Sequence, residues 1–210
     1  YEQRYALRCE QINRVYDLVK EHSKAFFVVD NCYGEFVEES EPKADLLIGS
    51  LIKNPGGGFA ESGGYLAGTQ EAVDLAAARL TSPGIGAECG ASLGQNKNMY
   101  RGLFYAPHTV SQALKTAVLA AYVFDTLGFE VSPKFNDFRS DIIETVTFHS
   151  PEKLCEFCQG IQSASPVDAF VTPEPWDMPG YDNPVIMAAG AFNLGASVEL
   201  SADAPLREPY

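Results

Sequence analysis

Apolar residues fall in short blocks along the chain, and the spacing inside each block predicts its conformation. Ile12, Val15, Tyr16 and Val19 recur at i, i+3, i+4 and i+7, one face of a helix ending near His22. Ala25-Phe26-Phe27-Val28-Val29 is a compact apolar run that stops at Asp30-Asn31; its length and its β-branched and aromatic content predict a buried, parallel strand. After a Glu-rich loop, Glu35 to Lys43, a second buried strand is predicted over 45–51. It breaks at Lys53-Asn54-Pro55 and the run Gly56-Gly57-Gly58. Gly64 to Thr69 reads as a further strand, and Val73, Ala77 and Leu80 line one face of a helix.

Helix, strand, loop, strand is the rhythm of an α/β sheet, in which ligands gather at the carboxyl ends of the strands. Asp30 and Lys53 fall at such ends. The stretch from Ser82 to Pro107 is rich in glycine and polar residues. From Thr109 to Leu127 the pattern is helical and apolar over much of its surface, which predicts a buried connector ended by Gly128. Beyond it, 142–148 reads as a strand. Ser150 followed by Pro151 is a helix start, with Leu154, Phe157, Cys158 and Ile161 on the apolar face. Val185 to Leu200 reads as two short strands around Asn193-Leu194-Gly195. Two units follow: 1–107, and 108–210 as a smaller α+β unit with the connecting helix.

Composition narrows the function classes. The chain has 210 residues, 46% hydrophobic and 20% charged, so it can form a core of ordinary size. Its formal net charge of -13 disfavours nucleic acid, whose phosphates repel an acidic surface. Five scattered cysteines fit a reducing, cytoplasmic compartment better than a disulfide framework. No apolar run reaches the roughly 20 residues of a membrane span, so no membrane partner is expected. Without an initiator Met, and stopping at Pro209-Tyr210, the chain reads as cut from something longer.

Two spacings carry chemistry: Asp30-x-x-Tyr33 after one strand and Ser50-x-x-Lys53 after the next. They suit pyridoxal 5'-phosphate (PLP). A carboxylate must face the pyridine nitrogen to keep the ring protonated as an electron sink. A phenol can hydrogen-bond the ring oxygen, and a hydroxyl can bind the phosphate. The lysine must act as nucleophile and base, which calls for desolvation or cationic neighbours to lower its pKa. Gly56 to Gly58 would let the backbone pass close to a ligand. Ser-x-x-Lys also occurs in serine hydrolases of the β-lactamase type, but there it opens a helix, which Pro55 and the glycines forbid here. The glycine run also lacks the order of a phosphate loop, because the lysine precedes it.

Longer stretches carry a resemblance. Val29-Asp30-Asn31-Cys32-Tyr33-Gly34-Glu35-Phe36, Gly49-Ser50-Leu51-Ile52-Lys53-Asn54-Pro55-Gly56-Gly57-Gly58, Ser165-Pro166-Val167-Asp168 and Glu174-Pro175-Trp176-x-Met178-Pro179-Gly180-Tyr181 resemble the methionine gamma-lyase-like family. Its members are also called aluminium resistance proteins or, provisionally, cystathionine beta-lyases. The resemblance covers essentially the whole chain but only the later half of family members. It implies a fold-type I (aspartate aminotransferase-like) α/β architecture: the later part of the large domain plus a smaller α+β domain. It further implies PLP held by Lys53 as a Schiff base, Asp30 as the pyridinium partner, Tyr33 near the ring oxygen and Ser50 at the phosphate. By the fold-type I habit of a late arginine, Arg207 is the candidate for the substrate carboxylate.

The implied activity is carbon–sulfur lyase chemistry on a sulfur amino acid such as methionine or cystathionine, in a homodimer or homotetramer. An aminotransferase, or a non-catalytic fragment lacking the first half, is the alternative. No metal is expected: Cys155-x-x-Cys158 is half a zinc site at most, and Cys158 shares a helix face with Leu154 and Ile161.

Overall fold

The computed structural model describes residues 5–82, 84–88, 90, 92–190 and 198–210. Helix α1 spans Cys9–His22. Ile12, Tyr16 and Val19 of the predicted face are half-buried, whereas Val15 is exposed and no residue of the helix is fully buried. Polar and aromatic ties hold it: Tyr16 meets Phe27 edge-on at 5.6 Å, Lys43 pairs with Asp17 at 3.0 Å, and Lys20 pairs with Asp45.

Strand β1 is Val28–Asp30 and β2 is Leu46–Ser50. They pair in parallel, Val28 opposite Leu46 and Asp30 opposite Ile48, so both carboxyl ends face the same edge. β1 has β2 as its one described neighbour, and Val28 remains half exposed; the expectation of a buried strand fails there. Strand β3, Gly64–Gly68, runs antiparallel to β2 with Ser50 opposite Gly64. Helix α2, Gln70–Leu80, follows at once, its first turn capped by Thr69 Oγ1, which accepts the Ala72 N–H.

Helix α3 spans Asn96–Thr126. It starts well before the predicted Thr109 and runs through Pro107, so the 107/108 division falls inside it. Proline in a helix interior costs about 3 kcal/mol. Tertiary contact offsets this. Gly102, Ala106, Val110, Ala117 and Ala121 form one buried stripe, and its small residues let the helix close on the Asn54–Gly56 turn. The opposite face, with Tyr100, Phe104, Leu119 and Tyr122, is exposed rather than buried. Gly128 ends the helix as expected, with φ 88°.

Strands β4 (Glu130–Ser132) and β5 (Thr145–Thr147) form an antiparallel ribbon; β5 is shorter than the 142–148 expected. Helix α4 (Pro151–Ser163) begins at the predicted Ser150 cap, whose Oγ accepts the Lys153 N–H. Strands β6 (Val185–Ala189) and β7 (Ser201–Pro205) form a second ribbon. β7 lies beyond the expected Leu200 boundary, and Asn193-Leu194-Gly195 lie outside the described residues. α4 packs this ribbon into a core of Phe148, Leu154, Cys158, Ile186 and Ala188, extended by Phe124, Phe129 and Phe157 in edge-to-face contact. Cys158 is fully buried there, the packing role its helix position predicts.

The expected fold-type I, aspartate aminotransferase-like class needs correction. The described strands make one three-stranded sheet of mixed direction and two separate antiparallel ribbons, a small α/β arrangement. The cause lies between β2 and β3. A parallel return needs a crossover, usually a helix. The segment from Leu51 to Gly63 contains only the short 3-10 turn Asn54–Gly56, so the chain doubles back and pairs antiparallel.

Candidate active site around Lys53

Asp30 ends β1 and Ser50 ends β2, and the parallel pairing sets them on one sheet edge. After Asp30 the chain turns tightly: Asn31 N–H donates to Ile48 O at 2.9 Å, and Gly34 N–H to Asn31 O at 3.0 Å. Tyr33 adopts φ 71°, a left-handed conformation that costs a non-glycine residue about 1–3 kcal/mol. Asn54 holds it. This fully buried side chain donates through Nδ2 to Tyr33 O and to Glu35 O, both at 3.0 Å.

Beneath the turn, buried Glu35 accepts the Tyr65 hydroxyl at 2.8 Å. Both side chains pack over Gly49, where a Cβ would collide with the Tyr65 ring. Burial pushes the Glu35 carboxyl above its ordinary range, against the pull of the Tyr65 hydrogen bond.

Above the turn, Lys53 Nζ lies 4.5 Å from the centre of the Tyr33 ring. Cys32 lies beside the charged pair. Its N–H donates to Asp30 Oδ1 at 3.1 Å, and its thiol lies in the field of both Asp30 and Lys53. The bonds from Cys32 hold the Asp30 carboxyl below its ordinary value, against burial and with help from Lys53. For Lys53, burial favours the neutral amine, but the bond to Cys32 and the proximity of Tyr33, Cys32 and Asp30 outweigh it, and its pKa is raised. That is opposite to the lowered value expected from the sequence, because the neighbours are polar or anionic rather than cationic.

Of the five residues singled out in the sequence, the structure brings Asp30, Tyr33 and Lys53 into one cluster. Ser50 lies at the same edge, with Oγ accepting Ile52 N–H at 3.2 Å and its carbonyl accepting Lys53 N–H at 3.3 Å. Arg207 belongs to another part of the fold, the exposed turn after β7, where its N–H donates to Pro205 O at 2.9 Å. The glycine run serves helix packing more than ligand approach. A Cβ on Gly56 would strike the Leu51 carbonyl and one on Gly57 the Gly102 carbonyl, while Thr109 Oγ1 donates to Gly57 O at 3.2 Å. At Gly58 a Cβ would instead lie 3.6 Å from a Glu199 carboxylate oxygen. Glu199 also borders a cleft of about 550 Å³ beside α4, among Phe157, Ile161 and Pro166.

Cys32 and Asn54 were missed in the sequence. Cys32 stands inside the Asp30-x-x-Tyr33 spacing, where attention to the ends hides the middle. Asn54 precedes a proline, which marks it as a turn residue and gives no sign of its buried donor role. Among the described residues, no group of three or more His, Cys, Asp or Glu side chains gathers as a metal site requires, and no helix is long and apolar enough to cross a membrane.

The set fits PLP chemically: an amine, a carboxylate held in its charged form and a phenol share one sheet edge with a hydroxyl. Comparison with known proteins extends the picture. Residues 1–210 match the sequence profile of the family described as methionine gamma-lyase. The chain is 53% identical over 214 residues to the uncharacterized protein YnbB of Bacillus subtilis, covering all of this chain and 51% of that protein. The crystal structure of a Clostridium novyi carbon–sulfur lyase involved in aluminium resistance superposes with a TM-score of 0.93 at 52% identity, covering all of this chain and 50% of the other. A Clostridium acetobutylicum protein involved in aluminium resistance, provisionally named a cystathionine beta-lyase, gives 0.94 at 51% identity with the same coverage. This full-length match is to the fold of the aluminium-resistance proteins, which replaces the aspartate aminotransferase-like class expected from the sequence. The chain spans about half the length of the Bacillus subtilis relative and of these solved structures. With its whole length matched, the chain belongs to the methionine gamma-lyase family.

Proposed function

We propose that this chain supplies the lysine-bearing half of a PLP-dependent carbon–sulfur lyase acting on a sulfur amino acid such as methionine or cystathionine. The observation that carries the reading is Lys53 Nζ set 4.5 Å over the Tyr33 ring, at the sheet edge where Asp30 ends β1. The carbon–sulfur step rests on the names of the Clostridium relatives.

Bound PLP supplies an electron sink for negative charge at the substrate Cα. The residues of this chain supply the rest. Lys53 Nζ is the covalent anchor and, once displaced by the substrate amine, the base that takes the Cα proton. Asp30, held in its charged form, is the partner for a protonated ring nitrogen. Tyr33 orients the lysine through its ring face. Ser50 Oγ accepts one backbone N–H and can donate its own hydrogen to a phosphate oxygen. Loss of a sulfur leaving group from such a substrate would give a keto acid and ammonia after hydrolysis, with Lys53 Nζ carrying the Cα proton. The working enzyme is a homo-oligomer in this reading.

Borohydride trapping tests the cofactor. The protein is incubated with PLP, reduced and digested, and pyridoxyl-lysine is located by mass spectrometry. Label confined to Lys53 and absent from Lys53→Ala is expected. Label spread over other lysines, or none, would overturn the reading. Product analysis on a full-length relative separates elimination, a keto acid with ammonia, from transfer, a new amino acid.

A further inference from the structure

The chain returns to the turn after Lys53 from far along the sequence. Gly58 ends the glycine run with φ 81°, and a Cβ placed on it would lie 3.6 Å from Oε1 of Glu199. Glu199 also borders the cleft of about 550 Å³ beside α4, so one carboxylate meets both the turn begun by Lys53 and the cleft. The cleft is held in shape by specific contacts. Its apolar wall comes from Phe157 and Ile161 of α4, Pro166 of the loop that follows, and Leu200 just before β7. Ser165 turns its hydroxyl away into the helix, where Oγ donates to Ile161 O at 2.8 Å. A Cβ on Gly190 would strike the Ser165 side chain, so glycine lets this loop and the end of β6 meet. Buried Gln162 ties the same two segments: Nε2 donates to Asp168 O at 3.1 Å, and Oε1 accepts Ala189 N–H at 3.0 Å. Among the described residues lining the cleft, Glu199 is the one ionisable side chain.

We propose that this cleft is a side-chain pocket for the amino-acid substrate and that Glu199 is its selectivity residue, admitting an uncharged apolar end and turning away an end that carries a carboxylate. This rests on the reading of Lys53 as the cofactor lysine. The volume suits a small ligand, whose pockets run from about 300 to 1,000 Å³ with mostly apolar walls. A thioether or alkyl end loses nothing by leaving water for Phe157, Ile161, Pro166 and Leu200. A terminal carboxylate would bring like charge to Glu199 and find no cation among the described lining residues, which the apolar walls make costly. Glu199 touches the turn as well as the cleft, so it is placed to read the side chain of a substrate held at Lys53.

The test is saturation-transfer NMR on the cofactor-free chain near neutral pH, with norleucine and 2-aminoadipate as probes. The two have the same carbon chain and differ in ending in a methyl group or a carboxylate. Norleucine should bind through its methyl end, and 2-aminoadipate at least about tenfold more weakly, the scale of one like-charge contact near a protein surface. Ile161→Asn should weaken norleucine about fourfold or more, as for one buried methylene lost. Leu200→Asn should act in the same direction; Leu200 is exposed, so this variant covers the case in which the Ile161 change disturbs folding. Glu199→Gln should bring 2-aminoadipate close to norleucine, while Glu199→Asp, which keeps the charge, should keep the preference. A merely structural role for Glu199 would weaken both probes alike and leave their ratio unmoved. The pocket is refuted if norleucine fails to bind or if its binding is indifferent to both wall variants. The selectivity role is refuted by equal binding of the two probes to the wild type, or by a preference that survives Glu199→Gln. Because no cofactor is present, the result is separable from the trapping experiment. Selective norleucine binding with failed trapping leaves the pocket and removes PLP; successful trapping without norleucine binding does the reverse.

Discussion

Asn54 holds Tyr33 in place from behind: its Nδ2 donates to the Tyr33 carbonyl at 3.0 Å while the Tyr33 ring faces Lys53 Nζ at 4.5 Å. The residue after Lys53 therefore fixes the aromatic platform on which that lysine rests. A second bond from the same Nδ2 to Glu35 O, also 3.0 Å, spans the turn and stabilises the left-handed φ of Tyr33.

Asn54→Ala should thus disturb stability and the lysine together. The buried Glu35 carbonyl and the part-buried Tyr33 carbonyl lose their donor; with about 1–3 kcal/mol for the first and about 1 for the second, a loss of about 2–4 kcal/mol is expected in urea unfolding, with the slope unchanged. Relaxation of Tyr33 should also lower the yield of Lys53 trapped by borohydride. A variant of native stability with normal trapping would show that the turn is held by other contacts.

The local half of this design is visible in the sequence, and the long-range half is not. Asp30 and Ser50 fall at predicted strand ends, and their strands pair in parallel as expected. Ser150 caps α4, Gly128 ends α3 and Cys158 is core, each from local pattern alone. The failures come where tertiary contact overrules local preference. Pro107 predicts a helix boundary, yet α3 passes through it because Gly102 and Ala106 close on the glycine turn. Gly64 to Thr69 reads as a strand whose direction no local pattern sets; the short link after β2 makes β3 antiparallel. Cys32 and Asn54 act on partners 21 residues away or more in sequence, Lys53 for the first and Tyr33 for the second. No periodicity encodes such pairings.

Gly102 tests the override at α3 directly. On propensity alone, Gly102→Ala should stabilise a helix interior by about 1 kcal/mol. The structure predicts the opposite sign. A Cβ at Gly102 would run into the Gly56 carbonyl, a backbone atom that cannot swing aside. Forcing the helix away from the Asn54–Gly56 turn should cost about 1–3 kcal/mol, the range for overpacking a tight contact. Thermal unfolding of Gly102→Ala should therefore show a lower midpoint, and so should Gly57→Ala, whose Cβ would meet the Gly102 carbonyl. A raised midpoint in either would mean that the close approach is not a feature of the folded chain.

Asp45 sets the acid limit of the sheet. It is buried, and its Oδ2 accepts the Phe27 N–H at 2.6 Å and pairs with Lys20 of α1. Its own N–H donates to Phe27 O at 2.9 Å, and its carbonyl accepts Thr69 N–H at 2.8 Å, so it joins α1, β1, β2 and the cap of α2. Burial works against the charge, but Lys20 and the Phe27 N–H outweigh it and hold the carboxyl below its ordinary 3.8. A carboxyl depressed in the folded state adds stability that is fully present above its unfolded value and is lost as the pH falls through its folded value. Asp45→Asn should cost about 1.5–3 kcal/mol near neutrality, as for a hydrogen bond to a charged group, and the deficit should close in acid below 3.8. Glu35, raised by burial, contributes with the opposite sign: its ionised form is disfavoured in the folded state, so Glu35→Gln should gain relative to wild type as the pH rises above 4.5. Urea unfolding of the wild type and the two variants over this range separates the effects. A deficit in Asp45→Asn that stays constant down to the acid limit would mean that Asp45 acts through packing alone, without its charge.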